Sequence, residues 1–149
     1  MEQQRTNMQS VQGKLCVALY EQFGEAVLPV IREVYAAYGR EIGAGLAAKW
    51  NVKTPSQVIT AFIAMCNQAG YPAELTIEGD TARWTGHACP FGLANTHRAV
   101  CEAMMAMDQG IFAALLNRPP EDMEFVIEKT LAAGDPECHG IFRARKGSF

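Results

Sequence analysis

Residues 73–87, with the sequence AELTIEGDTARWTGH, decide the fold class of this chain. Two short β-prone runs, at 73–78 and 81–87, flank the dipeptide Gly79-Asp80, which is typical of a tight hairpin turn. We therefore predict two neighbouring antiparallel strands here. Because the sequence before this hairpin has helical spacing, the pattern indicates an α+β protein.

The first 70 residues are predicted to be helical. Apolar residues within 15–38 recur every three or four positions, and Pro29 is expected to kink or split this segment. A further helix begins with Thr54 as the N-cap and Pro55 at the first helical position. The small residues of 36–48 allow close helix approach. We expect them to form either a lid over the cysteine site described below or the surface of a homodimer.

A second strand pair is predicted near the C-terminus. Residues 93–116 have helical spacing, with a bend expected at Gly110, and residues 123–131 and 138–145 are β-prone. After the first helices, the predicted order is therefore β-β-α-β-β in an antiparallel sheet unit.

Length and composition indicate one ordinary globular domain. The 149 residues are 49% hydrophobic and 19% charged, so we expect one core, with a helical half at 1–70 and a sheet and cysteine half at 71–149. A net charge of −3 and only 13 lysines and arginines argue against nucleic acid as a partner. No apolar run reaches the roughly 18 residues of a membrane span, and residues 1–13 lack a signal-peptide pattern. We expect a cytoplasmic protein with no membrane partner.

One face of the predicted helix 93–116 carries three groups that are capable of chemistry. At about 100° per residue, His97, Cys101 and Asp108 lie on the same side, among apolar neighbours. A thiol, an imidazole and a carboxyl are costly there unless they pair or bind something. Each also has a structural interpretation, as a packed cysteine, a hydrogen-bonded histidine or a helix cap. Together they indicate a site.

The five cysteines fall into two groups. In a reducing compartment they are expected to be free thiols, metal ligands or catalytic groups rather than disulfides. Cys89 ends the second predicted strand and Cys138 begins the last one, so we expect these two to converge with Cys101. Cys16 and Cys66 lie within apolar helical patterns and are expected to be core residues.

Two families share the motifs of this cysteine region. Cys89-Pro90-Phe91, Cys101, Glu128 and the segment GDPECHGIF at 134–142 resemble the C-terminal region of the L-2-amino-thiazoline-4-carboxylic acid hydrolase family and of the 4-vinyl reductase domain family. The helical N-terminal half is more similar to the hydrolases. This resemblance implies an enzyme that opens a cyclic C–N or C=N bond in a small heterocycle.

We assign roles for this chemistry from the predicted helix. Cys101 would be the nucleophile, since His97 lies one turn earlier and can accept its proton, and Asp108 would bind a substrate amine or move a proton. Cys89, Glu128 and Cys138 would line the substrate pocket.

The 4-vinyl reductase resemblance implies a zinc site instead. Its ligands would include Cys101, Glu128 and Cys138, but an intermediate ligand falls at Leu131, which cannot bind metal, so Cys89 or His97 would have to complete the set. The alternative hypothesis is therefore a non-catalytic sensor domain that binds a small molecule, with zinc or with no cofactor. A third is a structural or partner-binding domain with packed cysteines.

Overall fold

The structure is a computed structural model that describes residues 7–79 and 81–145. Three N-terminal helices are followed by two strands, two helices and two further strands, which confirms the α+β class and the β-β-α-β-β order. In chain order they are α1 (Met8–Phe23), α2 (Leu28–Ala47), α3 (Pro55–Gln68), β1 (Ala73–Glu78), β2 (Thr81–Gly86), α4 (Arg98–Met104), α5 (Ala106–Leu116), β3 (Met123–Lys129) and β4 (Cys138–Ala144). Short 3-10 turns occupy 24–27, 120–122 and 131–133.

The four strands form one antiparallel sheet in the order β1-β2-β4-β3. The predicted hairpin is confirmed by the β1–β2 register, in which Glu78 pairs with Thr81; Asp80 of the predicted turn lies outside the described residues. Side chains alternate across the sheet. Ala82 and Phe142 join the core cluster with α3 and α5, which defines the inner face. The opposite, outer face carries no helix in the described part of the chain.

The first helices begin and end as their sequences dictate. Thr54 caps α3 in a capping box with Gln57, and Pro55 takes the first helical position, as predicted. The chain splits into α1 and α2 at the 3-10 turn 24–27. Pro29 lies just after this turn, in the first turn of α2, where its missing N–H breaks no helical bond.

The helix predicted at 93–116 differs from expectation in two places. Asn95 adopts a left-handed conformation with φ 56°, and the Thr96 hydroxyl donates to the Leu93 carbonyl, so α4 begins only at Arg98. A break at Met105 then separates α4 from α5. Gly110, expected to mark a bend, lies inside α5.

Helices α2 and α5 pack backbone against backbone through glycine. A Cβ atom on Gly43 would lie 2.6 Å from the Ile111 carbonyl oxygen, one on Gly110 would lie 2.6 Å from the Ala36 oxygen, and one on Gly39 would clash with Met107. The prediction of close packing by 36–48 is therefore confirmed at Gly39 and Gly43, and the partner is α5 of the same chain.

Two hydrophobic clusters form the core. The first joins the inner face of the sheet to α3 and α5 through Val58, Ile59, Ile63, Ala82, Ile111, Phe112, Ala113, Leu115, Met123 and Phe142. The second joins α1 and α2 to α4 through Cys16, Ile31, Tyr35, Leu93, Val100, Ala103, Met104 and Ala132. Cys89 and Cys101 pack against this second cluster, so the first two helices cover the cysteine region.

One helical stretch, Arg98–Leu116, is long and apolar enough to cross a membrane by length and composition alone. However, 61% of its most apolar window is buried inside the fold, as in the core helix of a soluble domain.

Candidate functional site

Two cysteines, Cys101 and Cys138, converge around one buried hydroxyl group, that of Thr130, which is 1% exposed. Its Oγ1 lies 3.3 Å from the Sγ of Cys101 and 4.0 Å from the Sγ of Cys138. Because both sulfur atoms lie close to the same oxygen atom, the thiols of Cys101 and Cys138 are near neighbours. Charge on Cys89 or on Cys138 would raise the pKa of Cys101, so Cys89 also lies nearby. The structure therefore brings Cys101 and Cys138 together, with Cys89 close enough to interact electrostatically with both.

The Gly134-Asp135-Pro136 turn holds Thr130 in place. The Asp135 carboxylate accepts a hydrogen bond from the Thr130 N–H at 2.9 Å, and the Asp135 N–H donates to the Thr130 carbonyl at 3.2 Å. Gly134 supplies a backbone φ of 91°, which only glycine adopts readily. Sequence reasoning missed Thr130. Its position before a turn marks it as a cap, and its side chain indeed accepts from the Ala132 N–H, but nothing local reveals the two thiols.

Burial opposes ionisation of two thiols in this cluster, those of Cys101 and Cys89. Burial raises the pKa of Cys101 to about 11, although the hydrogen bond with Thr130 opposes the shift. Burial also raises the pKa of Cys89. Since the thiolate is the nucleophilic form of cysteine, both side chains are almost wholly protonated and unreactive at neutral pH.

His97 is turned away from Cys101. Its Nε2 lies 2.9 Å from a carboxylate oxygen of Glu21 on α1, and its ring makes an edge contact with Tyr20. The other two histidines of the chain, His87 and His139, also pair with glutamates. No interaction between an imidazole and Cys101 is found within 7–79 and 81–145.

The structure does not bring Glu128 to the cysteines. Its carboxylate lies on the outer face of the sheet, 3.6 Å from the guanidinium of Arg83, and both side chains are about half exposed. With Glu128 on the far side and Thr130 beside both Cys101 and Cys138, these residues do not fit the implied zinc site. Among the described residues, no group of three or more histidine, cysteine, aspartate or glutamate side chains is arranged to hold a metal ion.

A groove of about 280 Å³ opens on the same outer face. Ionisable side chains from all four strands line it, so it is polar and solvated. Its lining includes Glu74, Thr76, Arg83, Thr85, Glu128 and His139.

A second set of polar groups lies inside the fold. The indole ring of Trp84 lies against Gly140 of the neighbouring strand, where any Cβ atom would overlap it, and Gly86 also contacts the ring. Its Nε1 is the one buried side-chain nitrogen or oxygen without a hydrogen-bond partner among the residues that the structure describes. Leaving such a donor unpaired costs about 1–3 kcal/mol.

Asp108 is also buried, being 8% exposed. Burial alone raises the pKa of its carboxyl group from 3.8 to about 7, so protonated and ionised forms coexist near neutral pH. It lies near Cys66 of α3, because its charge adds to the effect of burial in raising the pKa of Cys66 to about 11. Asp108 lies nearly two turns after Cys101, and its charge acts on Cys66 of α3.

Helix and strand spacing, counted from the aromatic core, relates the positions of Trp84 and Asp108. The Phe112 ring contacts Phe62 at 5.1 Å and Phe142 at 4.6 Å between ring centroids. On α3, Cys66 lies one helical turn after Phe62. On α5, Asp108 lies one helical turn before Phe112, toward the cysteine cluster.

On β4, Gly140 lies two residues before Phe142, again toward the cysteine cluster. Gly140 is the register partner of Trp84. From this spacing we infer that Trp84, Asp108 and Cys66 lie at a similar level between the aromatic core and the cysteines, and we name these three residues the polar layer. Of these three residues, only Asp108 was predicted from the sequence to be a site residue, and the predicted site was the one around Cys101.

Neither a family model nor a curated protein matches this sequence. Solved structures that share its fold include two with bound ligands. One is the phenol-responsive sensory domain of the transcription activator PoxR with phenol, with a TM-score of 0.63 and 14% identity, covering 93% of this chain and 75% of that one. The other is a trafficking protein particle complex subunit 3 from Naegleria fowleri covalently bound to palmitic acid, with a TM-score of 0.62 and 10% identity, covering 93% and 95%. At these identities the likeness shows the α+β fold and not the family.

Proposed function

We propose that this chain is a small-molecule-binding domain whose ligand occupies the polar layer between the sheet and helices α3 and α5. The observation that supports this most directly is the buried, unpartnered indole N–H of Trp84. Buried polar groups are nearly always hydrogen-bonded in folded proteins, so an orphaned donor calls for an explanation. A ligand atom that accepts this hydrogen bond supplies one.

The surroundings define the chemistry of the ligand. The Trp84 ring lies beside Phe125, which contacts Phe112 in turn, so the site presents mostly aromatic surface. Asp108 adds a carboxyl group that donates a hydrogen bond when protonated and accepts one when ionised. We expect a small, largely apolar compound with one hydrogen-bonding group. Phenol, present in one of the two proteins of similar fold, is a compound of this kind, whereas the other protein holds palmitic acid covalently.

A binding role agrees better with the chemistry of the cysteine cluster than hydrolysis does. Opening a cyclic C–N or C=N bond through Cys101 requires a thiolate and a nearby base. The raised pKa of Cys101 and the pairing of His97 with Glu21 provide neither. Hydrolysis, a zinc cofactor and a cytoplasmic location remain predictions from the sequence alone.

Tryptophan fluorescence tests the proposed site, because the chain has only two tryptophans, Trp50 and Trp84. In Trp50→Phe the emission comes from Trp84 alone. We expect titration with phenol or palmitic acid to change that emission in a saturable manner. Trp84→Phe keeps an aromatic ring but removes the pyrrole half of the indole with its N–H, so affinity measured by calorimetry should fall at least about 3- to 10-fold, the usual worth of one hydrogen bond.

The matched variants separate the outcomes. If Trp50→Phe binds as tightly as the unaltered chain and Trp84→Phe binds more weakly, the ligand contacts Trp84. Binding that is unchanged in Trp84→Phe would place the ligand elsewhere. Absence of saturable binding by any neutral apolar probe would refute the proposed function.

A further inference from the structure

The two N-terminal helices carry nearly all the exposed large apolar side chains in the described part of the chain. Of eight such residues, seven lie on α1 or α2 and the eighth is Ile77 of β1. The seven are Met8, Val11, Leu15, Phe23, Val30, Val34 and Tyr38. Scattered exposed apolar residues are normal on a monomer, but their concentration on two adjacent elements is not.

These residues form stripes on the faces of both helices that the fold leaves open. On α1, Val11 and Leu15 lie one turn apart and roughly opposite the buried Gly13, which packs on Phe91.

On α2, Val30, Val34 and Tyr38 recur every four residues, beside the inward row that begins with Ile31 and Tyr35. A surface helix of a monomer usually carries one apolar stripe. Each of these helices carries two, and the inward stripe is already used by the core.

The exposed stripes are large enough for a stable interface. Their exposures range from 46% at Val11 to 71% at Met8. A large apolar side chain exposed to this degree presents on the order of 100 Å². Seven of them offer about 700 Å² per copy, against about 800 Å² per partner in a standard interface.

We propose that two copies of this chain pair through the outer stripes of α1 and α2 in a two-fold symmetric dimer. A two-fold interface joins the same surface patch on both subunits, so one apolar patch is enough to form it. This dimer surface differs from the one considered from the sequence, because Gly39 and Gly43 are occupied by α5. The proposal does not depend on the small-molecule site.

A lipid surface is a poorer match for these helices. Helices that lie on membranes carry a polar face rich in lysine and arginine. Here the exposed charges are mixed, with Lys14 and Arg32 beside Glu21 and Glu33, and the whole chain has a net charge of −3.

Sedimentation equilibrium of the full chain tests the dimer. We expect a mass of about twice the 16.3 kDa of one chain at micromolar concentration. Leu15→Glu and Val34→Glu each place two like charges in the interface, so the dissociation constant should rise about 100-fold or more. Ile77→Glu adds the same charge at an exposed apolar residue away from α1 and α2, and this control should remain dimeric.

Both interface positions are more than half exposed in the single chain, at 58% for Leu15 and 60% for Val34. The variants should therefore keep the circular dichroism spectrum of the parent. A parent chain that stays monomeric at several hundred micromolar would overturn the proposal, as would dimers of unchanged affinity in both variants. So would a monomer that instead co-sediments with phosphatidylglycerol vesicles.

Discussion

Replacing Asp108 with asparagine should remove a pH-dependent loss of stability. The carboxyl group has an ordinary pKa of 3.8 in the unfolded chain and a pKa of about 7 in the folded chain, because burial disfavours its charged form. A raised pKa means that the folded chain holds the proton more tightly. The stability from this group is therefore fully present below about pH 4 and is lost as pH rises through 7. The contribution of Asp108 to the unfolding free energy falls by about 4 kcal/mol in total, and more than half of this fall occurs between pH 5 and pH 8.

Urea unfolding at pH 5 and pH 8 measures this loss. Asp108→Asn has nearly the same shape and does not titrate, so its advantage in unfolding free energy over the parent should grow by 2 kcal/mol or more between the two values. Glu121→Gln, which removes an exposed carboxylate, is the matched control and should leave the pH dependence of the parent unchanged. If the parent and Asp108→Asn lose the same unfolding free energy between pH 5 and pH 8, burial does not raise the pKa of Asp108. Its assignment to the buried polar layer would then be wrong.

Two further substitutions, each with a control, test the cysteine cluster and the packing of Trp84. Thr130→Val removes the hydroxyl shared by two thiols and should lower the unfolding free energy by about 1–3 kcal/mol, whereas Thr60→Val on the exposed face of α3 should change it little. Gly140→Ala places a methyl group inside the ring of Trp84 and should cost about 1–3 kcal/mol, while Gly45→Ala, with open space around it, should stabilise its helix by about 0.5–1 kcal/mol; equal effects of the two alanines on urea unfolding would contradict the packing of Trp84.

The sequence contains enough local information to predict the layers of this fold. Thr54 and Pro55 mark the start of α3, and the Gly79-Asp80 dipeptide between two β-prone runs marks the first hairpin. These signals act over a few residues and owe little to the rest of the chain. The strand order could not be predicted in the same way, because the placement of β4 between β2 and β3 depends on contacts between distant segments.

The site was harder to predict because a helical wheel assumes an uninterrupted helix. Placing His97, Cys101 and Asp108 on one face required regular geometry from 93 to 116. The left-handed Asn95 and the extended N-cap His97 leave His97 outside the helix, and Asp108 lies nearly two turns beyond Cys101. Cys101 therefore keeps its predicted neighbours Cys89 and Cys138, whereas His97 pairs with α1 and Asp108 joins the polar layer. Trp84 was not identified, since an aromatic residue on an inward strand face is usually only packing.

The two buried polar regions differ in how well their hydrogen bonds are satisfied. In the cysteine cluster, the Thr130 hydroxyl bonds to Cys101, Cys138 and a backbone N–H, and Asp135 holds the Thr130 backbone. A satisfied hydrogen-bond network of this kind stabilises a fold and needs no ligand. The polar layer instead holds an orphaned indole donor and a carboxyl group whose charge is disfavoured by burial. Folded proteins keep such costs mainly where function requires them. This difference supports our proposal that ligand recognition lies in the polar layer rather than at the cysteines.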